Sequence, residues 1–332
     1  MILTVTRECN LRCSYCPTAK DGWPSLSNDD ALRALDLFAS RWVAPEGRGG
    51  VVKLFGGEPL LVPDVVRAVI ERAQRMDRIA SIQLSTNGLG LDDGWLDFLR
   101  AHDKAILQVS MDGTADVHRR HRRSLPTVGD TYDHLVSLAP RLARMPRVVV
   151  TQTIAPAVAD RAAESFDHLL ALGFTRFNFL PGYYIPWSEP QLASLERAFD
   201  AIAERVLSLW SRNVPVHVRN LTTLAPTPFF NSGLIVDADR TIHPSNVGLS
   251  GALEELLHQT RIGDLDHPPT PAELDARSLE VNALLARALS PRILESTQAA
   301  DAALTRFCKK LYPRFFAHRV LGARPGARRA IA

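Results

Sequence analysis

What most constrains the fold of this 332-residue chain is an alternation that fills its first 180 residues or so. Short runs rich in aliphatic and β-branched residues fall at 1–6, 51–55, 80–84, 105–109, 148–154 and 176–180. Stretches with helical apolar spacing follow them at 29–42, 62–76, 92–101, 131–143 and 159–172. In the first of these, Leu32, Leu35, Phe38, Ala39 and Trp42 share one helix face, with Ser27 or Asn28 placed to cap it. Strand–helix units repeated in this way predict an α/β protein built on a parallel sheet, because each crossover needs a helix to return the chain. The pattern fits a doubly wound open sheet and a curved, barrel-like sheet equally well.

After Pro181-Gly182 the pattern changes. Residues 189–210 predict one long amphipathic helix, with Leu192, Leu195, Phe199, Ile202, Val206 and Leu209 on a face. Short strands are expected at 214–218 and 234–236, and 237–240 reads as a hairpin turn leading into 241–243. Residues 267–320 read as two or three helices and 324–332 as a basic frayed tail. The chain is long enough for a full α/β core and one smaller appendage. A net charge of +3 makes no demand for nucleic acid or an anionic membrane surface. No apolar run reaches the roughly 18 residues that span a bilayer. Met1 leads straight into the first strand, so no secretory signal is expected and a reducing, cytoplasmic setting is.

Three of the four cysteines, Cys9, Cys13 and Cys16, stand in a Cys-x3-Cys-x2-Cys spacing just after the first strand. Thiolates are soft ligands, and three held close together suit three irons of a 4Fe–4S cluster, leaving the fourth iron open. A closed zinc site asks for four ligands, usually as two separated pairs, and a disulfide framework asks for an exported chain. Neither condition is met.

With Tyr15 before the last cysteine, the spacing resembles the radical S-adenosylmethionine (radical SAM) superfamily. Gly56-Gly57-Glu58-Pro59 resembles its Gly-Gly-Glu motif, and Ser85-Thr86-Asn87-Gly88 and Ser110-Met111-Asp112-Gly113 resemble two further segments. The resemblance implies a partial (β/α)6 TIM-like barrel over 1–182, carrying one 4Fe–4S cluster on Cys9, Cys13 and Cys16 and binding S-adenosylmethionine (SAM). It implies reductive cleavage of SAM to a 5′-deoxyadenosyl radical that abstracts a substrate hydrogen. On it, Tyr15, Gly56, Gly57, Glu58, Pro59, Ser85, Asn87 and Ser110 are candidate SAM residues, and Asp112 a candidate catalytic one. The glycine pair, lacking Cβ atoms, is expected to let backbone approach the methionine ammonium, with Glu58 adding charge. Ordinary loop capping remains open for each polar residue.

Residues 183–265 resemble the SPASM/twitch appendage of peptide-modifying members, in a smaller C-terminal α+β unit. Asn231 and His243-Pro244-Ser245 stand where that appendage would carry cysteines, so no auxiliary cluster is expected. Residues 266–332 would form the last segment. The implied substrate is a peptide or natural product, with a sugar or nucleoside as the small-molecule alternative and a non-catalytic iron–sulfur carrier as the other class. A flavodoxin- or ferredoxin-type reductant is implied. Because the first strand starts at Met1, a peptide is expected either to be presented by a separate leader-peptide-binding protein or to dock directly.

Three further features carry open readings. His118-Arg119-Arg120-His121-Arg122-Arg123 is a solvated loop face or a site for an anionic substrate or acidic electron donor. Tyr183, Tyr184 and Trp187 line a substrate mouth or pack a junction. Cys308 is a small core hydrophobe or a hydrogen-atom donor, and its neighbours Lys309 and Lys310 would favour the thiolate.

Overall fold

The computed structural model describes residues 1–332 apart from 17, 19–21, 223–231, 246–255 and 322–332. Asn231 and the basic tail at 324–332 therefore lie outside the described residues. The chain runs β1 (Ile2–Thr6), β2 (Leu11–Cys13), α1 (Asn28–Arg41), β3 (Gly50–Gly56), α2 (Pro63–Gln74), β4 (Ile79–Thr86), α3 (Asp93–Ala101) and β5 (Ala105–Ser110). It continues through α4 (Ala115–His121), β6 (Arg122–Ser124), α5 (Thr131–Leu142), β7 (Val148–Ile154), α6 (Ala162–Ala171), β8 (Arg176–Pro181) and α7 (Glu189–Ser211). Last come β9 (His217–Val218), β10 (Ser232–Val236), β11 (Thr241–Ser245), α8 (Leu257–Thr260), β12 (Gly263–Asp264), α9 (Pro271–Ala288) and α10 (Pro291–Leu321).

Helix starts follow side-chain capping. Ser27 accepts from the Asp30 N–H at 3.1 Å, Asp92 from Trp95 at 2.7 Å and Asp130 from Asp133 at 3.0 Å. Thr270 and Glu273 form a reciprocal box at the start of α9. Each satisfies an N–H group that the first helical turn leaves without a partner.

The main sheet has the order β12-β11-β10-β1-β3-β4-β5-β7-β8-β9. From β1 to β8 the spatial order repeats the chain order, and every pair is parallel. A doubly wound sheet reverses direction at a switch point; this one never does, so it winds one way as a barrel arc does. The arc stays open, because β1 bonds β10 and β8 bonds β9 instead of each other.

Burial alternates along the strands. Leu54, Leu84, Val109, Val150, Phe177 and Phe179 are fully buried against the helices. Their neighbours Phe55, Ser85, Ser110, Thr151, Asn178 and Leu180 face the concave side and are only half-buried. The convex side is a packed core, and the concave side a partly polar hollow, with Phe55 and Leu180 among its residues. Phe177 and Phe179 extend that core through edge and stacked ring contacts to Phe166, Phe199 and Phe307, joining β8, α6, α7 and α10.

The hairpin expected in a separate appendage continues the main sheet. Its first strand, β10, pairs parallel with β1, Ile2 opposite Ile235 and Leu3 opposite Val236. Strand formation at 214–218 shrinks to His217–Val218, and 267–320 holds two helices, α9 and α10. Among the described residues no helix is long and apolar enough to cross a membrane.

Candidate functional site

The cysteine loop leaves the C-terminal end of β1 and is held from three sides. First, it meets the end of β3, where the Gly57 N–H donates to the Thr6 carbonyl at 2.9 Å and the Glu58 N–H to the Glu8 carbonyl at 2.8 Å. A Cβ on Gly56, whose φ is +152°, would lie 1.9 Å from the Thr6 oxygen, and one on Gly57 would lie 2.2 Å from the Arg7 and Glu8 oxygens. The close approach that these glycines allow within the protein is thus between two stretches of its own backbone, a role the sequence reading did not foresee beside the approach to a ligand.

Second, the loop is tied to the ends of β3 and β4. The buried Glu58 carboxylate accepts from the Leu60 N–H at 3.0 Å, the Thr86 hydroxyl at 2.6 Å and the Asn87 N–H at 2.7 Å. Burial raises its pKa, against those hydrogen bonds. Asn87 donates through Nδ2 to Asn10 Oδ1 at 2.7 Å, reaching back into the cysteine loop. Pro59 is buried and opens a short 3-10 turn.

Third, β2 pairs antiparallel with β6, Cys13 opposite Arg122. Arg122 makes a two-pronged pair with Asp112, Nε to Oδ2 and Nη2 to Oδ1, each at 3.1 Å. The Tyr15 hydroxyl donates to Asp112 Oδ2 at 2.6 Å and the Thr153 N–H to Oδ1 at 3.1 Å. Both oxygens of the candidate catalytic carboxylate are therefore engaged, and Asp112 is 1% exposed. His118 accepts from the Asp112 N–H at 3.3 Å through Nδ1, and its Nε2 meets the Thr131 hydroxyl at 2.9 Å. Burial lowers its pKa from 6.5 to about 4. Ser14 bonds His121 Nδ1 at 2.7 Å.

The basic run is thus helix and strand rather than a solvated loop. His118, His121 and Arg122 are buried, Arg119 pairs with Asp130 and Asp133, and Arg120 and Arg123 face solvent. Arg122 is the main residue that sequence reasoning missed. No local signal marks it, because the chain leaves α4 at His121 and Arg122 opens β6, where its partners are Cys13 and Asp112.

Cys9 is buried, and Cys13 and Cys16 are half-buried. Burial pushes the Cys13 thiol up to about 11, opposed by the charge of Arg122. Among the described residues no three His, Cys, Asp or Glu side chains converge as a single metal ion would require; a cluster instead takes each thiolate on a different iron. Soft donors on one loop, beside a partly polar hollow, fit such a group. Of the candidate SAM residues, Ser85 and Ser110 line the hollow, Ser85 donating to Gln108 at 2.9 Å. Tyr15, Glu58 and Asn87 brace the loops.

Cys308 lies apart, in the apolar core on α10. Burial, with Asp301 adding, pushes its thiol up to about 12, and Lys310 pairs with Asp200 at 2.9 Å. This reverses the expected thiolate-favouring effect of the flanking lysines. Trp187 is buried and donates to the Gly182 carbonyl at 2.8 Å. Tyr183 and Tyr184 pack on a small apolar cluster with Leu256, Val281, Leu285 and Leu289.

Residues 3–135 match the family described as the Radical SAM superfamily. A GTP 3′,8-cyclase of Lactiplantibacillus plantarum is 38% identical over 95 residues, 27% of this chain and 26% of that protein. One of Geobacter sulfurreducens is 36% identical over 118 residues, 35% of each. The chain spans about a quarter to a third of these relatives' length. Among solved structures, anSMEcpe with bound AdoMet superposes with a TM-score of 0.70 at 17% identity, over 95% of this chain and 97% of that one. Streptococcus suis SuiB bound to precursor peptide SuiA gives 0.61 at 13%, over 83% and 64%. At such identities the likeness is one of fold. Motif order and the family match agree that residues 3–135 carry a radical SAM superfamily domain, with the 4Fe–4S cluster and SAM as that family's cofactors.

Proposed function

We propose that this chain is a radical SAM enzyme in which Cys9, Cys13 and Cys16 hold the cluster and SAM lies over the ends of β3, β4 and β5. Held by Cys9, Cys13 and Cys16, the cluster would supply the one electron for reductive cleavage of SAM, the chemistry by which this family abstracts a hydrogen atom from substrate. The observation that carries the reading is the cysteine loop itself, braced on three sides and opening onto a partly polar, half-buried hollow. Within it, Glu58 and Asp112 are positioning residues: Glu58 joins the ends of β3 and β4, and Asp112 fixes Arg122 and Tyr15 against the loop. Ser85 and Ser110 offer hydroxyls toward SAM. In functional terms, 1–182 holds the cofactor residues, while the described residues of 183–265 and of 266–321 buttress the arc.

A peptide or peptide-derived natural product is the substrate class we favour. The whole-chain likeness to anSMEcpe, solved also with bound AdoMet and a Cp18Cys peptide, supports it. A separate recognition protein would present the peptide, and Arg120 and Arg123 offer an acidic flavodoxin or ferredoxin a place to dock. The partial match to GTP 3′,8-cyclases favours a second reading, a nucleotide or other small molecule. Anaerobically reconstituted protein, reduced with dithionite in the presence of SAM, is expected to release 5′-deoxyadenosine, and Cys13→Ala to abolish it. No 5′-deoxyadenosine from iron-loaded protein would overturn the reading in favour of a carrier. Deuterium passing from a labelled peptide or a labelled nucleotide into 5′-deoxyadenosine distinguishes the two substrate classes.

A further inference from the structure

Two glutamines on neighbouring strands give the hollow a hydrogen-bonding pattern that the protein itself leaves incomplete. Side chains alternate across a strand, and Ile82 and Leu84 are fully buried in the convex core. Gln83 between them therefore faces the hollow, as Ser85 does. It is only 6% exposed, yet its Oε1 has no hydrogen-bond partner. Gln152 shares an unpartnered oxygen, but it faces the convex core and is anchored to α6, donating through Nε2 to the Ala162 carbonyl at 3.0 Å. No such anchor holds Gln83.

Strand register supplies its neighbours. Lys53 stands beside Gln83 on β3 and Ile106 on β5. Two residues beyond Ile106 comes Gln108, opposite Ser85, whose hydroxyl donates to Gln108 Oε1 at 2.9 Å. That bond orients the Gln108 amide: its oxygen is taken, and its Nε2 hydrogens remain for an acceptor. Strand spacing and rise put the Gln83 and Gln108 backbones about 8 Å apart along the diagonal, within joint reach of one small group. Both lie on the face where Ser85 and Ser110 offer hydroxyls, with Gln83 one layer deeper than Ser85.

A buried acceptor without a donor is costly, and the cost is relieved when a ligand brings one. An ammonium is disfavoured as that donor, because Lys53 already places a cation beside Gln83. An amide N–H is uncharged and carries a carbonyl on the next atom, which gives Gln108 the acceptor it lacks. No Asp or Glu occurs in β3, β4, β5, β7 or β8 to compete for these donors.

We propose that Gln83 and Gln108 form an amide-reading subsite in the hollow, Gln83 accepting from a substrate N–H and Gln108 donating to the adjoining carbonyl. A peptide bond and the lactam edge of a nucleobase share this chemistry. The subsite rests on the reading of the hollow as the reaction chamber, and it holds substrate one layer below the strand ends assigned to SAM.

The test is saturation-transfer NMR on iron-loaded, SAM-saturated protein, with N-acetylglycinamide in one arm and inosine in the other. Each is compared with a partner whose N–H is replaced by N–CH3, N-acetylsarcosine dimethylamide and 1-methylinosine. At least one N–H probe is expected to bind wild type about tenfold or more tightly than its methylated partner, the scale of a buried acceptor regaining its donor. Gln83→Met should bring that ratio close to one, and Gln83→Glu, which keeps an acceptor, should preserve it. Gln108→Met should weaken both members of a pair alike, since each keeps its carbonyl. Iron content and melting temperature report whether each variant has folded; Gln83→Leu stands in where Gln83→Met does not. Preference in the first arm alone supports a peptide amide, and in the second alone a nucleobase. No binding of either probe, or a ratio unchanged by Gln83→Met, overturns the subsite. So does displacement of the probe by methyl glucoside at equal concentration, because hydroxyls would then serve as well as an amide. Loss of SAM affinity in Gln83→Met with probe binding unchanged overturns it too, since Gln83 would then belong to SAM. Because the titration reads amide binding directly, a wild type that shows the preference yet forms no 5′-deoxyadenosine overturns the enzymatic reading and leaves the subsite standing.

Discussion

A Cβ on Gly57 would press on the Arg7 and Glu8 carbonyls at 2.2 Å, and neither oxygen can yield without moving the loop that carries Cys9. Gly57→Ala is therefore expected to lose cluster iron along with SAM binding, measured as iron per chain and as SAM affinity. Weak SAM binding with full iron would instead put the glycine against the cofactor. Asp112→Asn should leave Arg122 buried and poorly paired, costing about 3–5 kcal/mol in chemical denaturation. Asp112→Asn combined with Arg122→Met should recover part of that loss, because it removes the stranded charge as well. His118 sets a pH dependence. Its folded pKa, lowered to about 4, lies below the unfolded 6.5, so the unfolded chain binds the extra proton first and stability falls as pH drops from about 6.5 toward 4. His118→Gln should flatten that part of the profile in urea titrations. The cysteines were legible because their spacing is chemistry in itself. The place of Arg122 and the packing of Gly57 against the loop were not, because each depends on a partner from a distant strand end.

The elements that brace the site come from both ends of the chain. Arg7, at the end of β1, is fully buried; its Nε donates to Asp237 at 3.1 Å and its Nη2 pairs with the same carboxylate, just past β10. Its guanidinium also lies 3.6 Å from the centre of the Trp23 ring. Asp237→Ala removes the paired anion from a buried cation, and a loss of about 3–5 kcal/mol is expected. Because Arg7 stands two residues before Cys9, iron retention during incubation with a chelator should fall as well. An unchanged melting temperature would show that the hairpin does not brace the loop. The helix and strand order from β1 to α7 could be read from apolar periodicity and caps, since those signals are local. The short α4 and β6 could not: a seven-residue helix of Ala, Asp, Val, His and Arg has almost no apolar face to betray it. The place of β10 was hidden for a different reason, since nothing in a five-residue strand says which edge it will join.

At the scale of the whole molecule, winding in one direction is what makes a hollow. Helices gather on the convex side, so strand residues there are mostly apolar, Gln152 excepted, and the concave residues are free to be polar. The sequence periodicity left barrel and doubly wound sheet undecided, because both bury helix-facing strands alike; only the spatial order of the strands separates them. That order also has a kinetic side. Ile2 pairs with Lys53 on one flank and with Ile235 on the other, so the first strand made is among the last to be completed. Until residue 236 has left the ribosome, β1 offers an open edge to any passing strand, a standing hazard for aggregation. Pairings so distant in sequence close late and slowly. Pulsed hydrogen exchange during refolding should protect amides of β4 and β5 before those that join β1 to β10. The cysteine loop would then lack one of its walls through most of synthesis, and the time to load iron is after the last strand is in place.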